Sequence, residues 1–182
     1  MAATTLSTRL AQVTYGVGGW GIGELVLRDG RPLHHELPWP GTAPSSIRHI
    51  DADELADRRP KDAAERYVKA FARYLRGRRV NFEPEAFGLA ETCDELGLTQ
   101  LERAIAFALA RVRWGERVSY GELAARAGRP SAPRAAGAFC ARCPLDLLLP
   151  AHRVVRSDGS LGEYGSHGVR TKQKLLDLEA RG

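Results

Sequence analysis

The sequence lacks any apolar run long enough to cross a membrane. None of its 182 residues lies in a stretch near the roughly 20 consecutive apolar residues that a transmembrane helix needs. Residues 1–16 also lack the charged start and the apolar centre of a secretory signal. We therefore expect a soluble globular protein of the cytoplasm that contacts no membrane.

Cysteine is scarce as well. Three cysteines, an odd number, do not form a disulfide framework, which fits a reducing compartment. Cys140 and Cys143 form an isolated CxxC, a weak signal for a metal or redox pair without a second one. The other candidate metal ligands match no zinc spacing: His34, His35, His49 and Cys93. The sequence therefore predicts no metal and no cofactor.

Positive charge is concentrated in one segment. The chain carries 27 basic and 22 acidic residues, and residues 111–156 contain nine arginines against Glu116, Glu122 and Asp146. Such an excess is typical of a surface that binds the phosphate backbone of a nucleic acid. A solvated basic face without a partner is the alternative, and charge alone leaves both open.

The first half of the chain predicts a small α/β domain over residues 1–90. Residues 14–38 have the composition of two or three short strands, with Asp29 and Gly30 forming a hairpin turn. Apolar residues recur at helical spacing over residues 62–76, and Gly77 is a suitable helix terminator. We find no chemistry in this half.

The second half, residues 91–182, predicts a mainly helical domain. Thr99 is a good N-cap for an amphipathic helix, and Ser119 is a good N-cap for a short helix that ends before Gly128. Ser131 is the expected N-cap of the next helix, residues 132–142. Two short helices joined by a tight turn indicate a helix-turn-helix.

The second of these helices has little side-chain bulk in its first turns. Arg134 is accompanied by Ala132, Ala135 and Gly137, so the backbone can approach another surface closely. That surface is either the groove of a nucleic acid or a neighbouring helix. Composition does not decide between them.

Four short motifs in the second half occur in the order and at the spacing of a known protein family. They are Val118-Ser119-Tyr120, Arg134-Ala135-Ala136-Gly137, Pro150-x-His152-Arg153-Val154 and Gly162-x-Tyr164. From about residue 99 to residue 179 the chain resembles the O6-alkylguanine-DNA alkyltransferases, whose signature has a cysteine where this chain has Ala151. The first 90 residues resemble the N-terminal domain of that family more loosely.

The resemblance implies a role for each matched residue. The helix-turn-helix would enter the minor groove, Arg134 would replace a flipped nucleotide, and Tyr120 would help to rotate the backbone. His152, oriented by Glu179, would form the relay that activates the nucleophile in family members. The implied DNA contacts are Ser119, Tyr120, Ala132, Arg134, Ala135, Gly137 and Ser157. The implied lesion pocket consists of Cys143, Pro150, Ala151, Arg153, Val154, Tyr164, Gly165 and Ser166.

Three departures from the family pattern change the expected function. Ala151 removes the alkyl acceptor, Cys143 replaces a usual asparagine, and the loop after Tyr164 is one residue longer. These favour a monomeric protein, similar to the alkyltransferase-like proteins, that binds and flips O6-alkylguanine in double-stranded DNA without enzymatic transfer. This resemblance implies that the chain marks the lesion for nucleotide excision repair proteins.

Three alternatives stay open. The first is a methyltransferase whose acceptor cysteine has been replaced by Ala151, and the second is transfer to Cys143 as a substitute acceptor. The third is a sequence-specific DNA-binding regulator that uses the helix-turn-helix, which would distinguish sequences instead of damaged from normal guanine.

Overall fold

The first half of the chain forms a four-stranded sheet. The computed structural model describes residues 9–43 and 48–182, apart from the side chain of Ser166. Strands β1 (Leu10–Val17), β2 (Gly21–Arg28) and β3 (Arg31–Trp39) form an antiparallel meander, and β4 (His49–Asp51) pairs in parallel with β1. The sheet order is β3-β2-β1-β4. The sequence predicted two or three short strands over residues 14–38, where the structure has three, and it did not predict β4.

The predicted turn between β2 and β3 is confirmed. Asp29 and Gly30 have φ values of 50° and 82°, as a tight turn compatible with the right-handed twist of a hairpin requires. Leu25 and Leu27 alternate along β2 with less buried residues and point into the core. The alternation of buried and less buried side chains along β2 therefore identifies the face of the sheet that packs against the core.

Helix α1 (Ala63–Leu75) covers that face. Asp62 accepts a hydrogen bond from the backbone of Glu65 and caps the first turn. Val68, Phe71 and Tyr74 recur at helical spacing and are fully buried. The helix was predicted over residues 62–76, and its bounds agree within one residue at each end.

Two helices lead from the sheet to the second half. Helix α2 (Leu89–Glu95) contacts β3 through Thr92, whose hydroxyl donates to the Pro32 carbonyl at 3.1 Å. Helix α3 (Gln100–Ala110) begins after Thr99, which forms the predicted cap together with Glu102. The division predicted at residue 90 falls inside α2 and stays a prediction.

The helix-turn-helix consists of α4 (Tyr120–Arg126) and α5 (Pro133–Ala141). Ser119 caps α4 as predicted, with Glu122 completing the cap. The helix predicted over residues 132–142 is α5, with bounds that agree within one residue at each end, but the prediction of Ser131 as its cap is wrong, because Ala132 occupies that position. A residue before proline is forced out of the helical region, so Ala132 stays outside the helix, while Pro133 suits its first position.

The remaining elements surround the motif at position 151. A short parallel pair joins β5 (Val118–Ser119) to β6 (Val154–Val155), and Ala151–Arg153 form one 3-10 turn directly before β6. A second 3-10 turn, Gly165–His167, precedes α6 (Gly168–Arg181). The predicted class, an α/β half followed by a mainly helical half with a helix-turn-helix, is confirmed. Within residues 9–43 and 48–182, no helix is long and apolar enough to span a bilayer.

Candidate functional site

Position 151 lies at the edge of the core of the second half. Ala151 is 2% exposed and opens the 3-10 turn after Pro150. Its backbone N–H donates to the Leu149 carbonyl at 2.7 Å, and that of Arg153 donates to the Pro150 carbonyl at 2.9 Å. Because Val154 then pairs with Val118 at the start of the helix-turn-helix, the turn is held at a fixed distance from that motif.

The structure brings the two relay residues together. His152 is fully buried, and its Nε2 lies 2.9 Å from Oε1 of Glu179. Burial lowers the pKa of His152, which favours the neutral imidazole. Since a carboxylate only accepts, Nε2 carries the proton and Nδ1 presents a lone pair. This buried Nδ1 has no hydrogen-bond partner among the described residues.

Arg153 pairs with the relay and does not line the cavity beside Tyr164. Its Nε and Nη2 donate to Oε1 of Glu179 at 2.9 and 2.8 Å, and Nη1 donates to the Val112 carbonyl at 2.6 Å. Burial acts to raise the pKa of Glu179, but the hydrogen bonds from His152 and Arg153 and the charge of Arg153 outweigh it and lower that pKa to about 2. Glu179 therefore stays ionised and fixes both partners.

Tyr74 completes this cluster and was missed in the sequence. Its hydroxyl donates to Oε1 of Glu179 and lies 2.9 Å from Nε2 of His152. Burial and the nearby carboxylate raise the pKa of Tyr74, so the phenol keeps its proton. Its spacing from Tyr67 and Phe71 places it on the buried face of α1, but spacing alone does not reveal a partner 78 residues away.

The predicted lesion pocket divides into two groups. Residues 161–168, which we call the wall loop, carry Tyr164, whose ring meets that of His152 edge-on at 6.2 Å between centroids. Cys143, Tyr164 and Gly165 line a cavity of about 330 Å³. Pro150 and Arg153 instead line a separate cleft of about 470 Å³ beside Trp114. Ala151 and Val154 are buried and line neither space, and the Ser166 side chain lies outside the described part of the chain.

Burial disfavours the thiolate form of the two cysteines that line the cavity. Cys140 and Cys143 are unpaired thiols. Burial raises the pKa of Cys140 to about 12 and also raises that of Cys143 well above its usual range. A protonated thiol is a poor nucleophile, so the structure gives no support to transfer onto Cys143.

Histidines near the sheet serve as hydrogen-bonding groups. His35 bonds to the Tyr15 hydroxyl and to the Asp146 carbonyl, and His49 lies 3.0 Å from the Thr14 hydroxyl. Among the residues that the structure describes, no three His, Cys, Asp or Glu residues are grouped as metal ligands.

The helix-turn-helix presents part of the expected contact surface. Arg134 is exposed in the first turn of α5, and Ala132 and Ala135 are half-exposed beside it. At Gly137 the close neighbour is α4, because a Cβ there would lie 3.7 Å from the Tyr120 ring. Both suggested surfaces therefore exist on this helix, one towards solvent and one towards α4.

Tyr120 is held in a narrow slot. A Cβ at Gly162 would lie 2.5 Å from the Tyr120 hydroxyl, and the ammonium of Lys172 lies 5.9 Å from the ring centroid. Burial lowers the pKa of Lys172 to about 8. Of the other implied contacts, Ser119 is engaged as the cap of α4, and Ser157 is exposed in the turn after β6.

Several arginines of the basic segment have no acidic partner among the residues whose structure is described. Ion pairs engage Arg111, Arg126, Arg142 and Arg153. Across the described ranges no ion pair is found for the other five: Arg113, Arg117, Arg129, Arg134 and Arg156. This uncompensated positive charge favours an anionic partner over a basic surface that is neutralised by acidic residues of the same chain.

Comparison with known proteins now assigns the family. Residues 100–181 match the model of the 6-O-methylguanine DNA methyltransferase, DNA binding domain. The inducible methylated-DNA–protein-cysteine methyltransferase of Bacillus subtilis is 35% identical over 152 residues, which are 83% of this chain and 75% of that protein. The chain belongs to the methylated-DNA–protein-cysteine methyltransferase family.

Other relatives carry the same name. The family member from Methanothermobacter thermautotrophicus is 33% identical over 123 residues, 68% of this chain and 65% of that protein. The mouse family member is 51% identical over 68 residues, 37% of this chain and 32% of that protein. The alignments thus span less than two thirds of the length of these two relatives.

Solved structures show the same fold. The Mycobacterium tuberculosis protein OGT, crystallised in complex with DNA, superposes with a TM-score of 0.67 at 23% identity, covering 94% of this chain and 93% of that one. The O6-methylguanine-DNA methyltransferase of Pyrococcus kodakaraensis gives 0.60 at 24% identity, covering 94% and 99%. Both halves of the chain therefore share the architecture of the family.

Proposed function

We propose that this chain binds O6-alkylguanine in duplex DNA, extrudes the damaged nucleotide and leaves the alkyl group in place. The observation that carries the proposal is the alanine at position 151, next to a relay that is otherwise assembled. A methyl side chain neither ionises nor attacks carbon, so the lone pair of His152 has no thiol to deprotonate.

The helix-turn-helix supports binding to DNA. The N–H groups at the start of α5 and the exposed Arg134 suit a phosphate backbone or the space left by an extruded nucleotide. Arg129 precedes this helix in the sequence and Arg156 follows it, and both add positive charge without an ion pair among the described residues. Extrusion is the route by which proteins reach an atom that is stacked inside the duplex.

The biological role follows from the missing transfer step. A protein that holds a lesion without repairing it resembles the alkyltransferase-like members, and we infer that it marks the site for nucleotide excision repair proteins. The second candidate is a methyltransferase whose acceptor cysteine was replaced by Ala151. The close contacts among His152, Arg153 and Glu179 favour it, because they keep the relay complete.

A competition titration tests the leading proposal. One duplex carries a single O6-methylguanine, and the matched duplex carries guanine at the same place, both at one fixed salt concentration because affinity for DNA depends on salt. We expect a preference of about tenfold, or about 1.4 kcal/mol, for the damaged duplex. Equal affinity for the two duplexes contradicts lesion recognition, and a preference that follows sequence instead of damage supports a regulator.

A further inference from the structure

A buried carboxylate lies behind the wall loop. Asp146 interrupts a run of leucines and is 9% exposed. Its Oδ1 accepts from the Tyr164 hydroxyl at 3.2 Å, and its Oδ2 accepts from Nε2 of His167 at 2.8 Å and from the backbone N–H of Leu37 at 3.3 Å. Burying a charge is costly without such partners. One side chain therefore joins β3 to two residues of the wall loop.

The backbone around Asp146 makes a second connection to β3. The His35 N–H donates to the Pro144 carbonyl at 2.8 Å, and the Asp146 N–H donates to the His35 carbonyl at 3.2 Å. Nδ1 of His35 donates to the Asp146 carbonyl, which leaves Nε2 to accept from the Tyr15 hydroxyl at 2.6 Å. The sheet of the first half and the wall loop are thus connected through one residue.

The charged groups near His167 determine the pKa of its imidazole, and therefore the pH range in which His167 is attracted to Asp146. Burial acts to lower the pKa of His167, but the hydrogen bond and charge of Asp146, with a smaller effect of Glu36, raise it overall. Among the described residues, the titratable and charged groups that line the cavity together with His167 are His34, His35, Glu36, Cys140, Arg142, Cys143, Asp146 and Tyr164. Burial lowers the pKa of His35 to about 4, so His35 is neutral when His167 titrates.

We propose that Asp146 is a positioning residue for lesion binding, which holds Tyr164 and His167 against β3 so that the wall loop keeps the orientation that receives the extruded base. This inference rests on the proposed function. It gives the first half of the chain a role in recognition, because β3 supplies the fixed side of the contact. Tyr164 transmits the effect, since its ring also packs edge-on against His152 beside position 151.

A pH dependence follows from this arrangement. Protonated His167 is attracted to the Asp146 carboxylate, and the attraction weakens as the pH rises through the raised pKa of His167. Affinity for the lesion is then higher on the acidic side of that pKa. Binding to undamaged DNA does not use the wall loop, so its pH dependence lacks this component.

Three variants test the assignment against the wild-type chain. Asp146→Asn keeps the size of the side chain but removes its charge, His167→Gln keeps a donor but cannot titrate, and Asp94→Asn alters an exposed ion pair with Arg103 as the matched control. Each protein is titrated with the O6-methylguanine duplex and the guanine duplex at fixed salt, at about pH 6 and about pH 8. Circular dichroism verifies that each variant is folded.

We expect Asp146→Asn to lose about tenfold in affinity for the damaged duplex, while affinity for the undamaged duplex stays the same. In the wild-type chain we expect affinity for the damaged duplex, but not for the undamaged one, to fall at high pH through the titration of His167. Both Asp146→Asn and His167→Gln should abolish this fall in affinity. If Asp146→Asn fails to fold, the comparison of His167→Gln with the wild-type chain on the two duplexes tests the proposal.

The two proposals fail in different ways. Variants that keep the wild-type preference and pH profile overturn the role of Asp146 and leave lesion recognition intact. A wild-type chain with no preference for the lesion overturns the proposed function, and the role of Asp146 in it.

Discussion

The hydroxyl of Tyr74 lies 2.9 Å from Nε2 of His152, although 78 residues separate them in the sequence. Tyr74 belongs to α1, which packs on the sheet of the first half, and His152 belongs to the turn that follows Pro150. The relay expected from the second half alone is therefore completed by a side chain from the first. We therefore expect substitutions in α1 to alter the surroundings of position 151.

Tyr74→Phe tests that connection. Removal of the hydroxyl deletes its bond to Glu179 and its contact with His152 but keeps the ring against Trp114. Because Arg153 still satisfies the carboxylate, we expect the free energy of unfolding to fall by about 1–2 kcal/mol. Urea unfolding measures it, with Tyr67→Phe on the same helix as the control, expected to change by less than about 0.5 kcal/mol. Equal losses in the two variants would show that the hydroxyl contributes nothing specific.

Acid should destabilise the chain through Glu179. Its pKa falls from about 4.5 to about 2 on folding, so its contribution to stability is present above about pH 4.5 and is lost as the pH falls towards 2. Urea unfolding at a series of acidic pH values should therefore show a steep loss. His35 and other groups also contribute, so the difference between wild type and Glu179→Gln isolates this carboxylate.

Glu179→Gln should already be weaker at neutral pH. The substitution leaves the buried guanidinium of Arg153 without its charged partner, and we expect a loss of about 3–5 kcal/mol. The matched control is Glu116→Gln, which breaks a more exposed pair with Arg126 and should cost at most about 1 kcal/mol. A stability of Glu179→Gln that equals the wild type at every pH would contradict the role given to the carboxylate.

Arg134→Ala should weaken binding to the damaged duplex more than any other single arginine substitution. The side chain is exposed at the start of α5 and has no acidic partner in the described chain, so its loss should leave the fold unchanged. We expect a drop of about tenfold or more in affinity at fixed salt. Arg59→Ala, another exposed arginine, is the control, and unchanged affinity in Arg134→Ala would refute the flipping role.

Ala151→Cys should regain alkyl transfer. The lone pair of His152 Nδ1 would accept the thiol proton, the sulfur would attack the methyl carbon, and the C–O bond to guanine would break as guanine regains a proton. Intact mass should increase by one CH₂ unit after exposure to the O6-methylguanine duplex. His152→Gln in the same background should not be methylated. Absence of methylation despite lesion binding would mean that the relay has diverged.

Local signals in the sequence predicted much of the fold. Asp29 and Gly30 fix a turn, and Thr99 and Ser119 fix helix starts, because each acts on neighbours a few residues away. Pro133 carried more information than Ser131, since its ring decides where α5 begins. The pair of His152 and Glu179 was predicted by family resemblance and is adjacent in the structure.

Long-range polar partners were not predictable in the same way. The sequence places Tyr74 on a buried helix face but does not say which carboxylate its hydroxyl meets. Asp146 did carry a signal that was not used, because an acidic residue within a run of leucines must find donors when it is buried. The identity of those donors, Tyr164, His167 and the backbone of Leu37, depends on tertiary packing.

The bonds of Tyr74 across the relay also bear on how the molecule melts. Tyr74 belongs to the first half and bonds to the relay of the second half. If one half unfolded alone, buried charged groups in the other half would lose part of their hydrogen bonding. Heating should therefore disrupt the sheet and the helical half in one cooperative transition, with calorimetric and van't Hoff enthalpies in agreement. The chain would then behave as one thermodynamic unit, although its sequence divides into two.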